Sequence, residues 1–247
     1  MSHETHDTGE YGGRHVVVTG ASGGIGSATA AWLAERGAQV YALDLRPASS
    51  AGTFVECDVT DAGQVAQACA TVLGISGGRV DGVVAAAGIS EDDVPAESMR
   101  VEQFDAILAV NLRGAFLTAT QFGRVMLDQG AGRIVAVSSM SGNLIVNDPQ
   151  RQCAYNASKA GLTALVKSLA VEWGPRGVRV NAVSPGYVDT PLLALKKHMH
   201  DGWKGRGVLH RFAATQEIAG AIGYLLSDAA AFCIGTELVI DGGYSLR

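Results

Sequence analysis

Tyr155 and Lys159 stand four residues apart in Tyr155-Asn156-Ala157-Ser158-Lys159, and Leu162 and Val166 continue the same helical stripe. A phenol titrating near ~10 is a poor base at neutral pH. An ammonium one turn away stabilises the phenolate, which makes a usable acid/base for an alcohol–ketone pair. A Tyr four residues before a Lys is common by chance, so its setting decides. Here it follows a β-branched run that ends Val137-Ser138-Ser139.

A second cluster precedes it. Thr19-Gly20-Ala21-Ser22-Gly23-Gly24-Ile25-Gly26 closes one apolar run and opens a helical pattern. Glycines there let the backbone approach a pyrophosphate, and the N–H groups at the positive helix end hold its charge. A plain tight turn is the alternative reading. The spacing is not G-x-G-x-x-G, which points to a different branch of dinucleotide binders. Asp44 ends the next run, where an acid accepts both ribose hydroxyls of NAD and repels the 2′-phosphate of NADP. Arg46 is near enough to temper this, or points to solvent before Pro47. Cys57-Asp58-Val59 closes a third run at the edge where an adenine would lie; Asp58 reads equally well as a helix cap before Asp61.

These residues need elements to hold them. Unalternated Val- and Ala-rich runs predict strands over 15–19, 39–43, 53–57, 81–87, 133–138, 179–184 and 237–240, buried on both faces. Periodicity predicts helices over 25–36, 61–73, 101–127, 154–173 and 215–226. Alternating strands and helices give an α/β, doubly wound Rossmann fold of about seven parallel strands with helices on both faces. Residues 1–13 are expected as a flexible tail, 14–247 as a single domain, and about 187–212 as a substrate lid.

Composition agrees. In 247 residues, 19 Lys+Arg against 24 Asp+Glu leave −5, which argues against nucleic acid as a partner. Charged residues are 17%, too few and too well mixed with apolar ones for a disordered chain. The 47% hydrophobic content never runs to the ~18 residues of a membrane span, so it predicts a core and no membrane partner. Thirty-two glycines are about twice the usual ~7% and imply many tight turns. Cys57, Cys69, Cys153 and Cys233 have neither disulfide-framework nor zinc spacing; no metal is expected, and a reducing cytoplasmic setting is.

Together TGASGGIG (19–26), Asp44, Asp58-Val59, Asn111, Ser138-Ser139, YNASK (155–159), SPGYVDT (184–190) and DGG (241–243) resemble the short-chain dehydrogenase/reductase family, in its order, from about Arg14 to the end. The resemblance implies that Tyr155 exchanges the hydroxyl proton and that Lys159 holds the nicotinamide ribose. It implies that Ser139 hydrogen-bonds the reacting oxygen and that Asn111 holds a water leading from Lys159 to solvent. Asn111 also lies on an apolar stripe with Phe104, Leu108 and Ala115, where its amide needs a partner of some kind. By the same resemblance NAD contacts Gly20, Ser22, Gly23, Gly24, Ile25, Gly26, Asp44, Asp58, Val59, Ala85, Ala87 and Gly88, with Tyr155 and Lys159. Pro185, Gly186, Val188 and Thr190 grip its carboxamide. One departure stands out: the family's Asn-Asn-Ala-Gly reads Ala85-Ala86-Ala87-Gly88 here, which keeps the close backbone approach and loses two amides.

The segment 139–159 is similar to that of sugar-alcohol dehydrogenases and related ketose and carbonyl reductases. Asn143, Asn147, Gln150 and Gln152 offer paired donors and acceptors that suit several hydroxyls, or form a polar surface loop. Ser139, Ser141, Asn147, Gln150 and Tyr155 are the expected substrate contacts. Lys196, Lys197, His198, His200, Lys204 and Arg206 are expected as a solvated face rather than an anion site. The expectation is NAD-dependent oxidation of a secondary alcohol of a polyol, in a homotetramer of the family's usual kind. The alternatives are a 3-oxoacyl thioester reductase, which Asp44 opposes, and an NAD-binding regulator without turnover, which the joint presence of Asn111, Ser139, Tyr155 and Lys159 opposes.

Overall fold

The computed structural model describes residues 9–47, 51–145, 150–194 and 196–247. Seven strands pair in parallel: β1 (His15–Thr19), β2 (Gln39–Asp44), β3 (Thr53–Glu56), β4 (Gly82–Ala85), β5 (Gly132–Val137), β6 (Val178–Pro185) and β7 (Glu237–Ile240). Their order is β3-β2-β1-β4-β5-β6-β7. Chain order reverses between β1 and β4, where Thr19 lies beside Ala85, and such a switch point opens a crevice beyond the strand ends. Both the glycine turn after β1 and the Ala-Gly turn after β4 leave from there.

The unalternated strands are explained by what covers them. Val17, Val83 and Ile134 enter one apolar cluster, and Val16, Val18, Val84 and Val135 enter another on the opposite face. On the first face lie α2 (Ala62–Ser76), α4 (Ala115–Gln129) and α5 (Cys153–Trp173), and on the second α1 (Gly24–Ala34) and α8 (Thr215–Leu226). The central strands β1, β4 and β5 are therefore covered by helices on both faces, while the edge strands β3 and β7 keep exposed residues.

Two expectations change. The single helix over 101–127 is α3 (Val101–Leu108), a π-helical stretch at Ala109–Gly114, and then α4. The wide turn is the kind that single insertions produce at functional sites, and it carries Asn111. The tail expected through Gly13 is anchored before its end: Tyr11 is fully buried, packs edge-on against Trp32 at 5.7 Å, and donates its hydroxyl to the Gly223 carbonyl at 2.6 Å. A large apolar ring with a polar tip found both kinds of partner, so it is part of the core. Between β6 and α8 run two short helices, α6 (Pro191–Ala194) and α7 (His200–Arg206).

Candidate active site

Only glycine can follow the path of the turn after β1 at two of its positions. Gly20 has φ +66°, and a Cβ on it would stand 2.6 Å from the Ala87 backbone. A Cβ on Gly26 would run into the Gly20 carbonyl oxygen. Gly23 caps α1 with no side-chain bond, so the N–H groups of the first turn remain for an external acceptor. A cradle of this shape, closed to any Cβ and carrying unpaired donors, fits the pyrophosphate of a dinucleotide.

Asp44 is held at the mouth of this turn. Its carboxylate accepts the Ser22 N–H at 2.9 Å and the Leu45 N–H at 2.7 Å, with acceptor capacity left over. The Ser22 hydroxyl donates to the Arg46 carbonyl at 2.7 Å. Asp58 does not cap α2. It closes a short turn onto Thr60, accepting its N–H at 2.8 Å and its hydroxyl at 2.7 Å, while Asp61 provides the cap. Val59 is buried and packs against Gly114, where a Cβ would stand 2.8 Å from it. Ala85 is buried at the end of β4, and Ala87 donates its N–H to the Thr19 hydroxyl at 3.4 Å.

Tyr155 and Lys159 lie at the other end of the crevice. A cavity of about 180 Å³ is lined by Ser139, Ser141, Gln150, Tyr155 and Lys159, and by Ile25, Gly88, Pro185, Gly186, Val188 and Thr190 from the cofactor set. Thr190 also rests its methyl over Gly24, 2.6 Å from where a Cβ would be. The Ser139 hydroxyl accepts the Ser141 N–H at 3.2 Å and bonds the Tyr155 phenol. Neighbouring Ser138 has a different task, pairing with the Lys159 carbonyl at 3.1 Å and the Thr163 hydroxyl at 3.0 Å. Lys159 is buried; its ammonium donates to the Val137 carbonyl at 2.9 Å and lies 5.5 Å from the Tyr155 ring centre.

Burial governs the titration of this pair. It pushes Lys159 down to about 8, and it pushes the Tyr155 phenol up, with the Ser139 hydrogen bond pulling partly back. The lowering of Tyr155 expected from a nearby ammonium is not found: burial dominates and Glu91 adds to the rise, while Nζ is bonded to the Val137 carbonyl. Asn111 is fully buried. Its Oδ1 accepts the Ile89 N–H at 2.9 Å, and its Nδ2 donates to the Ile89 carbonyl at 2.9 Å and to the Ser158 hydroxyl at 3.0 Å. Its side chain thereby stitches the π turn to the strand β4 exit and to α5.

Comparison with known proteins agrees with this arrangement. A family profile described as enoyl-(acyl carrier protein) reductase matches residues 20–245. D-threitol dehydrogenase of Mycolicibacterium smegmatis is 39% identical, covering 95% of this chain and 94% of that protein. Galactitol 2-dehydrogenase of Rhizobium johnstonii is 36% identical, covering 94% of this chain and 95% of its own length. A crystal structure of a short-chain type dehydrogenase/reductase from Mycobacterium marinum superposes with a TM-score of 0.92 at 36% identity, covering 96% of this chain and 98% of that one. The chain belongs to the short-chain dehydrogenase/reductase family.

As a short-chain dehydrogenase/reductase it has features that its motifs do not announce. Glu91, between β4 and α3, is buried with its carboxylate on the first turn of α5. Lys196, assigned by sequence to a solvated face, instead lines the cavity and donates to the Glu91 carbonyl at 2.8 Å. Tyr187 and Trp203 line it too, with rings stacked at 4.3 Å. Asn143 is exposed and does not line the cavity, and Asn147 lies outside the described residues. One signal for Glu91 was available: α5 starts after Gln152 with no Ser, Thr, Asp or Asn to cap it, so its cap had to come from elsewhere.

Proposed function

We propose that this short-chain dehydrogenase/reductase oxidises a secondary hydroxyl of a polyol or related small molecule to the ketone, with NAD as cofactor. NAD bound in the crevice supplies the hydride acceptor. Tyr155 takes the hydroxyl proton, Ser139 hydrogen-bonds the reacting oxygen, and Lys159 holds the nicotinamide ribose beside them. Asp44 meets the adenosine ribose, where its charge disfavours a 2′-phosphate. The observation that carries the reading is the meeting of Ser139, Tyr155 and Lys159 in one cavity with Ser141 and Gln150.

An uncharged substrate is favoured by the company Lys196 keeps. Glu91, Asp92 and Asp93 all act on its ammonium, so the cation is compensated within the protein. The similarity to D-threitol and galactitol dehydrogenases supports the polyol class. A homo-oligomer is proposed as well: Phe116 on α4 and Val171 on α5 are 43% and 78% exposed, and gel filtration reads the assembly size.

Purified protein with NAD and a panel of sugar alcohols, hydroxy acids and simple alcohols is expected to form NADH, read by its near-ultraviolet absorbance. Tyr155→Phe should lower kcat by about a thousandfold; full activity in that variant would sink the mechanism. A phenol raised by burial keeps its proton at neutral pH, so oxidation should quicken as pH climbs and reduction should fade. Equal or better turnover with NADP would overturn the role of Asp44. Faster turnover of a 3-oxoacyl thioester with NADPH than of any polyol with NAD would replace the substrate class.

A further inference from the structure

Tyr155 sits in the first turn of α5, and that turn has no cap of its own. Gln152, at the N-cap, makes no side-chain capping bond. The missing acceptor comes from 61 positions before: one Glu91 carboxylate oxygen accepts the Ala154 N–H at 3.0 Å, and the other the Tyr155 N–H at 2.9 Å. These are the second and third residues of the helix, whose donors an N-cap side chain would ordinarily satisfy. Glu91 is only 7% exposed. Its own carbonyl collects a donor from two sides of the cavity: Gln150 Nε2 at 3.4 Å and Lys196 Nζ at 2.8 Å. Next to it, Asp93 clamps the Arg151 guanidinium through both oxygens, at 2.9 and 2.8 Å.

We infer that Glu91 is a positioning residue for the catalytic tyrosine: its buried carboxylate sets the register of the first turn of α5 and the charge against which the Tyr155 phenol works, while its carbonyl ties the substrate loop and the lid to the same point. The inference rests on the reading of Tyr155 as the acid/base. Burial alone does not require a carboxylate here, since an uncharged acceptor could satisfy either N–H. A carboxylate serves both donors at once, and it places a negative charge beside the proton-transfer group at the positive end of a helix.

The charges around the phenol can be named. Ser139 reaches it from the end of β5, Lys159 stands on its own helix, and Glu91 raises it from beyond β4, while Tyr187 beyond β6 is itself raised by Tyr155. Glu91 is itself opposed by Lys196 from the lid, and Asp92, Asp93 and Arg151 complete the group.

The test is a tyrosinate absorbance titration of NAD-saturated protein, taken as the difference between each variant and its Tyr155→Phe counterpart. Glu91→Gln should move the Tyr155 midpoint down by about half a pH unit, the size of one unit charge acting across a partly buried separation. The acid limb of kcat/KM for alcohol oxidation should move with it. Lys196→Met, which removes the opposing cation without touching the cap, should move the midpoint up; it also carries the test if Glu91→Gln does not fold. Glu91→Asp, which keeps the charge, should return the midpoint to the wild-type value. Midpoints that stay put in both Glu91→Gln and Lys196→Met, or that shift in the same direction, would overturn the inference and leave Glu91 a helix cap. Because the titration needs no turnover, a shifted phenol without polyol oxidation would sink the proposed substrate and leave Glu91 standing. Intact polyol oxidation with an unmoved phenol would do the reverse.

Discussion

The two ends of the crevice are built from different materials. At the nucleotide end the surface is backbone: Gly20, Gly23 and Gly26 fold against one another and against Ala87, and the space left open is open because side chains are missing. At the substrate end the surface is side chain: Ser139, Ser141, Gln150 and Tyr155 come from the stretch between the end of β5 and the first turn of α5, Lys196 from beyond β6, and hydrogen bonds to one another and to the distant Glu91 hold them. A backbone surface has no slack, because an added Cβ must displace main chain. A side-chain surface can lose one member and repack. The first therefore tolerates little change, and the second can change its lining one side chain at a time.

The sharpest way to break this contrast is Gly26→Ala. The new methyl would collide with the Gly20 carbonyl inside a turn that cannot widen without moving β1 or α1. Overpacking of this kind costs about 1–3 kcal/mol, and here it falls on the cradle itself. NAD affinity should drop by up to about a hundredfold, read by quenching of protein fluorescence, while the far-ultraviolet circular dichroism stays that of the wild type. Affinity within twofold of wild type would mean that the turn is as adaptable as the substrate wall.

Lys159 lies where the two materials meet, and it tests whether the junction is arranged for function at the expense of stability. Its folded-state value near 8 is below the usual 10.5, so between those two the unfolded chain holds a proton that the folded chain has given up. Stability therefore rises with pH across that window, and the buried charge weighs most below pH 8. Lys159→Met should abolish activity, yet stabilise the fold by about 2 kcal/mol at pH 7, after allowing for the lost bond to the Val137 carbonyl. The gain should shrink as pH climbs from 8 toward 10.5. Urea denaturation of both proteins across that range reads it, and a variant less stable than wild type at pH 7 would show that the lysine is a structural asset.

The same contrast explains what could be read from sequence. Backbone surfaces leave local signatures: the run from Gly20 to Gly26, the Asp44 at a strand end, and the Ala87-Gly88 turn are each contiguous, and all reach the crevice. The seven strands were equally legible, because a sheet covered on both faces needs unbroken apolar runs. Side-chain surfaces depend on partners tens of residues apart. The uncapped start of α5 called for an outside acceptor, but that Glu91 supplies it to Ala154 and Tyr155 is named only by the fold. Lys196 looked like one more surface cation until the fold brought it to the Glu91 carbonyl. Asn111 was legible as a buried amide, but the π turn that aims it at Ile89 left no mark in the 3.6-residue periodicity. Tyr11 was misread because a single aromatic in a polar stretch carries no pattern.

Gln150 offers the smallest and most selective change. It is 4% exposed, lines the cavity, and spends one bond, a long one of 3.4 Å, on the Glu91 carbonyl. Gln150→Leu keeps most of the volume and removes the amide. One hydrogen bond to a substrate hydroxyl contributes about 1 kcal/mol, so KM for the polyol should rise about fivefold. The cofactor cradle is formed without Gln150, so NAD affinity should not move, and kcat should change little, since Tyr155 and Ser139 keep their mutual bond. A KM rise confined to substrates with several hydroxyls, with simple secondary alcohols unaffected, would place Gln150 on a remote hydroxyl. A loss of NAD affinity instead would mean that the two ends of the crevice are coupled through Glu91, and that backbone and side-chain surfaces respond as one.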